Sequence, residues 1–153
     1  SRTSLGSVMD HPTSLRLRIP GDANAATLEF HLPASFGSDI FGEITPVVDM
    51  ELSMHSIAPA AGNQTLVSGL SCLTLALPET GTQVVEGLSL PVRITLPLTA
   101  PLLASSALMS KLECVFWDGW RYSRKGCQVE GVVIQKSTVT AVICACTHLT
   151  MFA

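Results

Sequence analysis

The residues best suited to chemistry are His148 and Thr150, an imidazole two positions before a hydroxyl, with Leu149 between them. A threonine hydroxyl is a weak nucleophile until a base takes its proton. An imidazole, with an ordinary pKa of about 6.5, is the usual base at neutral pH. In this order the nearest electrophile is the chain's own Leu149 carbonyl. If the backbone holds that carbon against the Thr150 oxygen, an N-to-O acyl shift becomes possible. Hydrolysis of the resulting ester then cuts between Leu149 and Thr150. A His-x-Thr tripeptide arises often by chance and by itself is usually a surface histidine. Its neighbourhood raises this one, because Cys144-Ala-Cys146 ends two residues before His148.

Cys114, Cys127, Cys144 and Cys146 form a C-x12-C-x16-C-x-C series, with Trp117 and Trp120 between the first two. Cys144 and Cys146 alternate with Ile143 and Ala145, which is strand periodicity, so both cysteines point to one face. Close, patterned cysteines in a small β-rich chain suggest disulfides and an oxidising compartment. Of three pairings, the one joining Cys144 to Cys146 is sterically disfavoured along a strand. Two remain, and Cys114–Cys144 with Cys127–Cys146 is preferred. Such staples would immobilise the strand just before His148. Trp117 and Trp120 are read as core first, and as a lid over the bridges second. A zinc site from the four cysteines and His148 competes with this reading. It is set lower because a knuckle needs a turn between its cysteines, and C-x-C on a strand offers a poor tetrahedral bite. No metal and no cofactor is expected. Cys72 lies on the opposite side of its strand pattern from Leu73, Leu75 and Leu77, as a quiet, partly buried thiol; a partner outside the chain is the alternative.

Short strands must hold these residues. Period-two patterns recur at Leu15, Leu17 and Ile19; at Leu28, Phe30 and Leu32; at Val48, Met50, Leu52 and Met54; and at Leu73, Leu75 and Leu77. They continue at Val92, Ile94, Leu96 and Leu98, at Leu112, Cys114 and Phe116, briefly at 132 to 134, and at length from 139 to 146. Prolines and glycines punctuate the series, as at Pro20-Gly21, Pro78, Gly81 and Pro97. Many short strands with frequent turns predict a mostly β fold, an antiparallel β-sandwich with the strand at 139 to 146 central and buried on both faces. One face of that strand is expected to be apolar and the other disulfide-bonded. The one helix candidate covers 102 to 111. Residues 1–14 read as a loose lead-in, and 15–153 as the sandwich.

Composition narrows the function classes. The 153 residues are 47% hydrophobic and 14% charged, enough for one real core and too apolar for a disordered chain. The net charge is −3 and the nine basic residues are scattered, so no nucleic-acid partner is expected. No apolar run approaches the roughly 20 residues of a membrane helix, and no signal-peptide pattern is present. The chain reads as a piece of something longer. Asn63-Gln64-Thr65 is a glycosylation sequon beside Gly62, and with the cysteines it favours secretion.

Cys114-Val-Phe-Trp-Asp118, Trp120, Gly126-Cys127, Cys144-Ala-Cys146 and His148-Leu-Thr150 together resemble the GPCR proteolysis site motif. That motif closes the GAIN domain of adhesion G-protein-coupled receptors and polycystin-like proteins. It spans 112–153, and the stretches at 69 to 77 and 90 to 96 are more loosely similar to strands of the GAIN β-sandwich, subdomain B. No helical subdomain of the kind adhesion receptors carry is expected within residues 1 to 111. The resemblance implies that His148 is the base, Leu149 supplies the scissile carbonyl, and Thr150 is the nucleophile and then the new N-terminus. It implies a C-terminal fragment retained non-covalently, with Thr150, Met151 and Phe152 on a strand that acts in adhesion receptors as a tethered agonist. Phe152 falls where that agonist's key aromatic lies. The implied setting is the extracellular face of the plasma membrane, with the parent's membrane-spanning region as a partner.

Two further readings compete with a single-turnover, self-cleaving module. One is the same fold uncut, serving adhesion or bearing force. The other is an enzyme on outside substrates, disfavoured because no further nucleophile–base cluster, phosphate loop or carboxylate pair is evident.

Overall fold

The structure, a computed structural model, describes residues 2–5, 13–18, 27–42, 48–55, 65–77 and 79–152. In chain order these carry β1 (Arg2–Leu5), β2 (Thr13–Arg18), β3 (Thr27–Leu32), α1 (Phe36–Phe41), β4 (Val48–His55), β5 (Leu70–Leu77) and β6 (Gly81–Gln83). There follow β7 (Val92–Leu103), α2 (Ser106–Met109), β8 (Phe116–Trp117), β9 (Tyr122–Ser123), β10 (Cys127–Gln135), β11 (Thr138–Cys146) and β12 (Met151–Phe152).

Among the described residues the strands form two antiparallel sheets. One runs β1-β4-β5-β12-β8-β9, with β6 also paired to β5; the other runs β10-β11-β7-β3-β2. The alternation that predicted each strand also decides which face turns inward. In β3, Leu28, Phe30 and Leu32 are buried while Thr27, Glu29 and His31 are only partly so. Outward-facing Glu29 meets Arg16 of β2 at 2.9 Å. Met50 and Leu52 of β4 and Leu73 and Leu75 of β5 pack in one cluster with Leu28, Phe30, Ile94 and Val142 of the second sheet. The two inner faces thus close on a single core, which is the expected mostly β sandwich.

β11 is central, hydrogen-bonded to β10 and β7, and most of its residues on both faces are buried. Its disulfide face is also its core face, since Cys144 and Cys146 share the main cluster with Val142. The expected division into an apolar side and a disulfide side therefore gives way to bridges sunk in the apolar core. The hairpin joining β10 to β11 turns through Lys136 and Ser137, both at positive φ (48° and 66°). Two such residues are what a tight two-residue turn needs, although neither is the usual glycine or asparagine.

Several boundaries differ from the sequence reading. Residues 2–5, read as lead-in, form a strand against β4, and β2 begins at Thr13. β10 is nine residues long rather than confined to 132 to 134. The helix expected at 102 to 111 shrinks to the four residues of α2, because β7 continues to Leu103. Ser105 starts that helix, its hydroxyl accepting the Leu108 N–H at 3.1 Å. Pro97 lies inside β7, where the ladder to β11 is irregular: Val139 faces Leu102, yet Ala141 faces Pro97. A proline has no N–H to give, so it fits where regular pairing lapses. Just beyond it, Thr99 donates its N–H to the Val67 carbonyl at 2.8 Å, linking β7 to the segment that leads into β5. α1 was not expected at all.

Two disulfides join Cys114 to Cys144 and Cys127 to Cys146, closing sequence separations of 30 and 19 residues. Cys72 is the free, half-buried cysteine. Cys114 and Cys144 are both buried, at 3% and 1% exposed. Replacing the pair by alanines releases a long loop in the unfolded chain and should lower stability by about 3 kcal/mol. Urea unfolding measures this, and an unchanged midpoint would contradict it.

Candidate functional site

β11 carries the chain to the site, and the Cys127–Cys146 bridge fixes its end. Those two cysteines are direct register partners across β10 and β11, with Cα atoms 4.2 Å apart. The next residues are gripped from two sides by backbone alone. Thr147 donates its N–H to the Gly126 carbonyl at 2.9 Å, and its own carbonyl accepts the Leu88 N–H at 3.0 Å. Leu149 donates its N–H to the Val85 carbonyl at 2.9 Å. Beyond Thr150 the chain enters β12, where Met151 pairs with Cys72 on one side and Trp117 on the other. Phe152 pairs in the same way with Ser71 and Phe116. Thr150 sits at a bend between these two sets of pairings.

His148 is half-buried. Its Nε2 lies 2.9 Å from the Lys125 carbonyl oxygen and 3.7 Å from the Cys127 sulfur. The Phe116 ring meets the imidazole edge-on, with centroids 4.3 Å apart and planes at 66°. His148, Leu149 and Thr150 all line one open cleft of about 620 Å³, together with Cys72, Phe116 and Gly126. The structure thus brings the three predicted residues to one surface.

Strain of the left-handed kind is not what the site offers. Among the described residues, the non-glycine residues at positive φ are Lys136 and Ser137, in the distant hairpin. The segment 148–150 is instead pinned by partners before and after it, so position carries the chemical argument.

The two tryptophans part: Trp117 packs in a hydrophobic cluster, as its core reading expected, and Trp120 does not. Trp117 packs edge-on against Tyr122 at 5.1 Å and joins a small satellite cluster with Leu70 and Val115. Trp120 is 89% exposed and neither lids the bridges nor enters the core. Its backbone N–H is taken by the Asp118 carboxylate at 2.9 Å, and Arg121 N–H is taken at the same distance. These backbone donors, Trp120's first, hold the Asp118 carboxyl below its usual range. A turn chemistry centred on Asp118 therefore decides where Trp120 points.

Cys72 lies away from the core face as expected, 3.5 Å from the Thr74 hydroxyl. What the sequence reading missed is its place in the cleft, across from Met151. It also missed Gly126, Lys125, Val85 and Leu88, which act through backbone atoms and so leave no side-chain signature. Gly126 alone carried a trace, as the glycine before Cys127. The four cysteines weighed as zinc ligands are bonded in pairs, and among the described residues no cluster of three or more His, Cys, Asp or Glu is placed to hold a metal. Asn63 lies outside the described residues.

A β-sandwich whose disulfide-tied strand delivers a His-Leu-Thr segment into a cleft defines a recognisable class of domain. The family description GPS, GAIN subdomain B, matches residues 50–153, more than half of the chain. The chain belongs to that family. Comparison with curated proteins and with solved structures returned no match. The match begins within β4, so β1, β2 and β3 precede it while completing the same two sheets. No helix of the described residues is long and apolar enough to cross a membrane.

Proposed function

We propose that the chain is the autoproteolytic module of an extracellular cell-surface receptor, cutting its own Leu149–Thr150 bond. One observation carries this: the bond lies between two sets of backbone pairings, with His148 and Thr150 in the same cleft. Leu149 is anchored through Val85, and Met151 through Cys72 and Trp117. The backbone of Thr150 is thus held from both sides.

The steps balance without a cofactor. His148 takes the hydroxyl proton as Thr150 Oγ1 adds to the Leu149 carbonyl carbon. The tetrahedral intermediate collapses by breaking the C–N bond, and the proton passes to the departing Thr150 nitrogen. The product is an ester with a free Thr150 amine. Water then hydrolyses the ester, leaving a Leu149 carboxylate and restoring the threonine hydroxyl. The reaction turns over once per chain and acts on no outside substrate. The C-terminal piece stays because β12 is paired on both sides, by β5 and β8, through residues the cut does not touch.

Hydroxylamine tests the ester route. It attacks an ester far faster than an amide, so the N-terminal fragment should end in a hydroxamate at Leu149. A fragment that ends only in a carboxylate at high hydroxylamine would exclude an accumulating ester. The extracellular setting draws support from the two disulfides and the sequon. Expressed in a secretory host, the chain should carry a glycan on Asn63, seen as a mass loss on glycosidase treatment; an unmodified Asn63 would count against an exposed sequon.

A further inference from the structure

We propose that Gly126 is a positioning residue: lacking a Cβ, it lets the His148 ring seat against the Lys125 carbonyl with its hydrogen on Nε2. This rests on the autoproteolytic reading and deepens it.

The starting point is what surrounds Nε2. The Lys125 carbonyl oxygen, 2.9 Å away, can only accept a hydrogen bond. The Cys127 sulfur, 3.7 Å away, is in a disulfide and carries no hydrogen either. A ring nitrogen facing two acceptors must hold the hydrogen. In a neutral imidazole the lone pair then belongs to Nδ1. The Lys125 carbonyl thus selects the tautomer before any reaction begins.

The ring reaches that carbonyl because residue 126 has no side chain. A Cβ on Gly126 would stand 2.9 Å from His148 Cδ2, 2.9 Å from Thr147 Oγ1 and 3.3 Å from His148 Nε2. The first two distances are closer than real Cβ contacts come. Thr147 Oγ1 can turn away about χ1, but the ring edge at Cδ2 moves only with the whole imidazole, and the backbone on either side is held. The Gly126 carbonyl holds the Thr147 N–H at 2.9 Å, the adjoining Cys127 is bridged to Cys146, and Phe116 packs edge-on against the imidazole. A methyl group at 126 would therefore push the ring off the Lys125 oxygen and release the tautomer.

Gly126 also has φ +76°, so a second explanation, backbone strain alone, must be separated. Gly81 supplies the control. Its φ is +74°, and a Cβ there would meet nothing within 4 Å. Asparagine tolerates positive φ yet brings a Cβ. Cleavage rates are compared for the parent chain, Gly81→Ala, Gly126→Ala and Gly126→Asn. Gly81→Ala should cut at the parent rate, while both Gly126 variants should slow by about 10- to 100-fold. Parent-like cutting by Gly126→Asn, with or without loss in Gly126→Ala, would overturn the role assigned to the missing Cβ.

A second readout does not depend on cleavage. In a Thr150→Ala chain, which keeps the segment whole, nitrogen-15 shifts of the imidazole should show hydrogen on Nε2. Adding Gly126→Ala should shift the population toward the other tautomer. Hydrogen on Nδ1 in the Thr150→Ala chain would overturn the proposal even if the Gly126 variants failed to fold. If the parent chain never cuts but the Nε2 hydrogen is present and lost with Gly126→Ala, the positioning stands and the autoproteolytic reading falls.

Discussion

Thr150→Ala should leave the chain whole, and Thr150→Ser should still cut it. Alanine deletes the oxygen that must add to the Leu149 carbonyl, and no other hydroxyl on the segment occupies that place relative to the bond. Thr147 is the nearest candidate in sequence, but its backbone is fixed to Gly126 and Leu88, three residues upstream of the position that must react. Serine keeps the oxygen and loses only a methyl, so the bend between Val85 and β12 is preserved. Fragment separation under denaturing conditions reads the result. A Thr150→Ala chain that cuts at the same bond would require a different nucleophile.

His148→Ala should slow cutting by about 10²–10⁴-fold, the usual contribution of a positioned general base. Some activity should survive, because Val85, Cys72 and Trp117 still pin the segment. The substitution also removes the edge contact with Phe116, so loss of rate by itself does not separate base from packing. Free imidazole makes the separation. The cleft is open and about 620 Å³, large enough to admit the small base. Added imidazole should restore part of the rate to His148→Ala and none to Thr150→Ala. An unchanged rate in His148→Ala would remove the histidine from the mechanism.

The sandwich was legible because its strands bury one face. Leu28, Phe30 and Leu32, or Leu73 and Leu75, announce themselves by alternation, and burial follows that alternation closely. The cysteine pairing was legible in part, since strand periodicity placed Cys144 and Cys146 on one face and disfavoured their direct union. Elements whose form depends on tertiary partners were not. β1 has only four residues and pairs with β4, far along the chain. β7 runs through two prolines because its irregular stretch finds Val67 and Ser68 instead of a regular neighbour. Trp120 looked apolar enough for a core or lid, yet the Asp118 turn directs it to solvent.

The site divides along the same line. His148 and Thr150 are side-chain chemistry, and side chains can be read from letters. Their positioning comes from carbonyls of Val85, Lys125 and Gly126 and the N–H of Leu88, which any residue could supply. Only Gly126 differs, because the space it leaves empty is filled by another residue's ring. Such a requirement is visible in coordinates and nearly silent in sequence.

The most direct test of the central claim is the denatured mass of the unsubstituted 153-residue chain after long incubation at neutral pH, with no protease or cofactor added. Self-cleavage should give a species ending at Leu149 and a separate peptide beginning at Thr150. A single species at full-length mass would contradict self-cleavage.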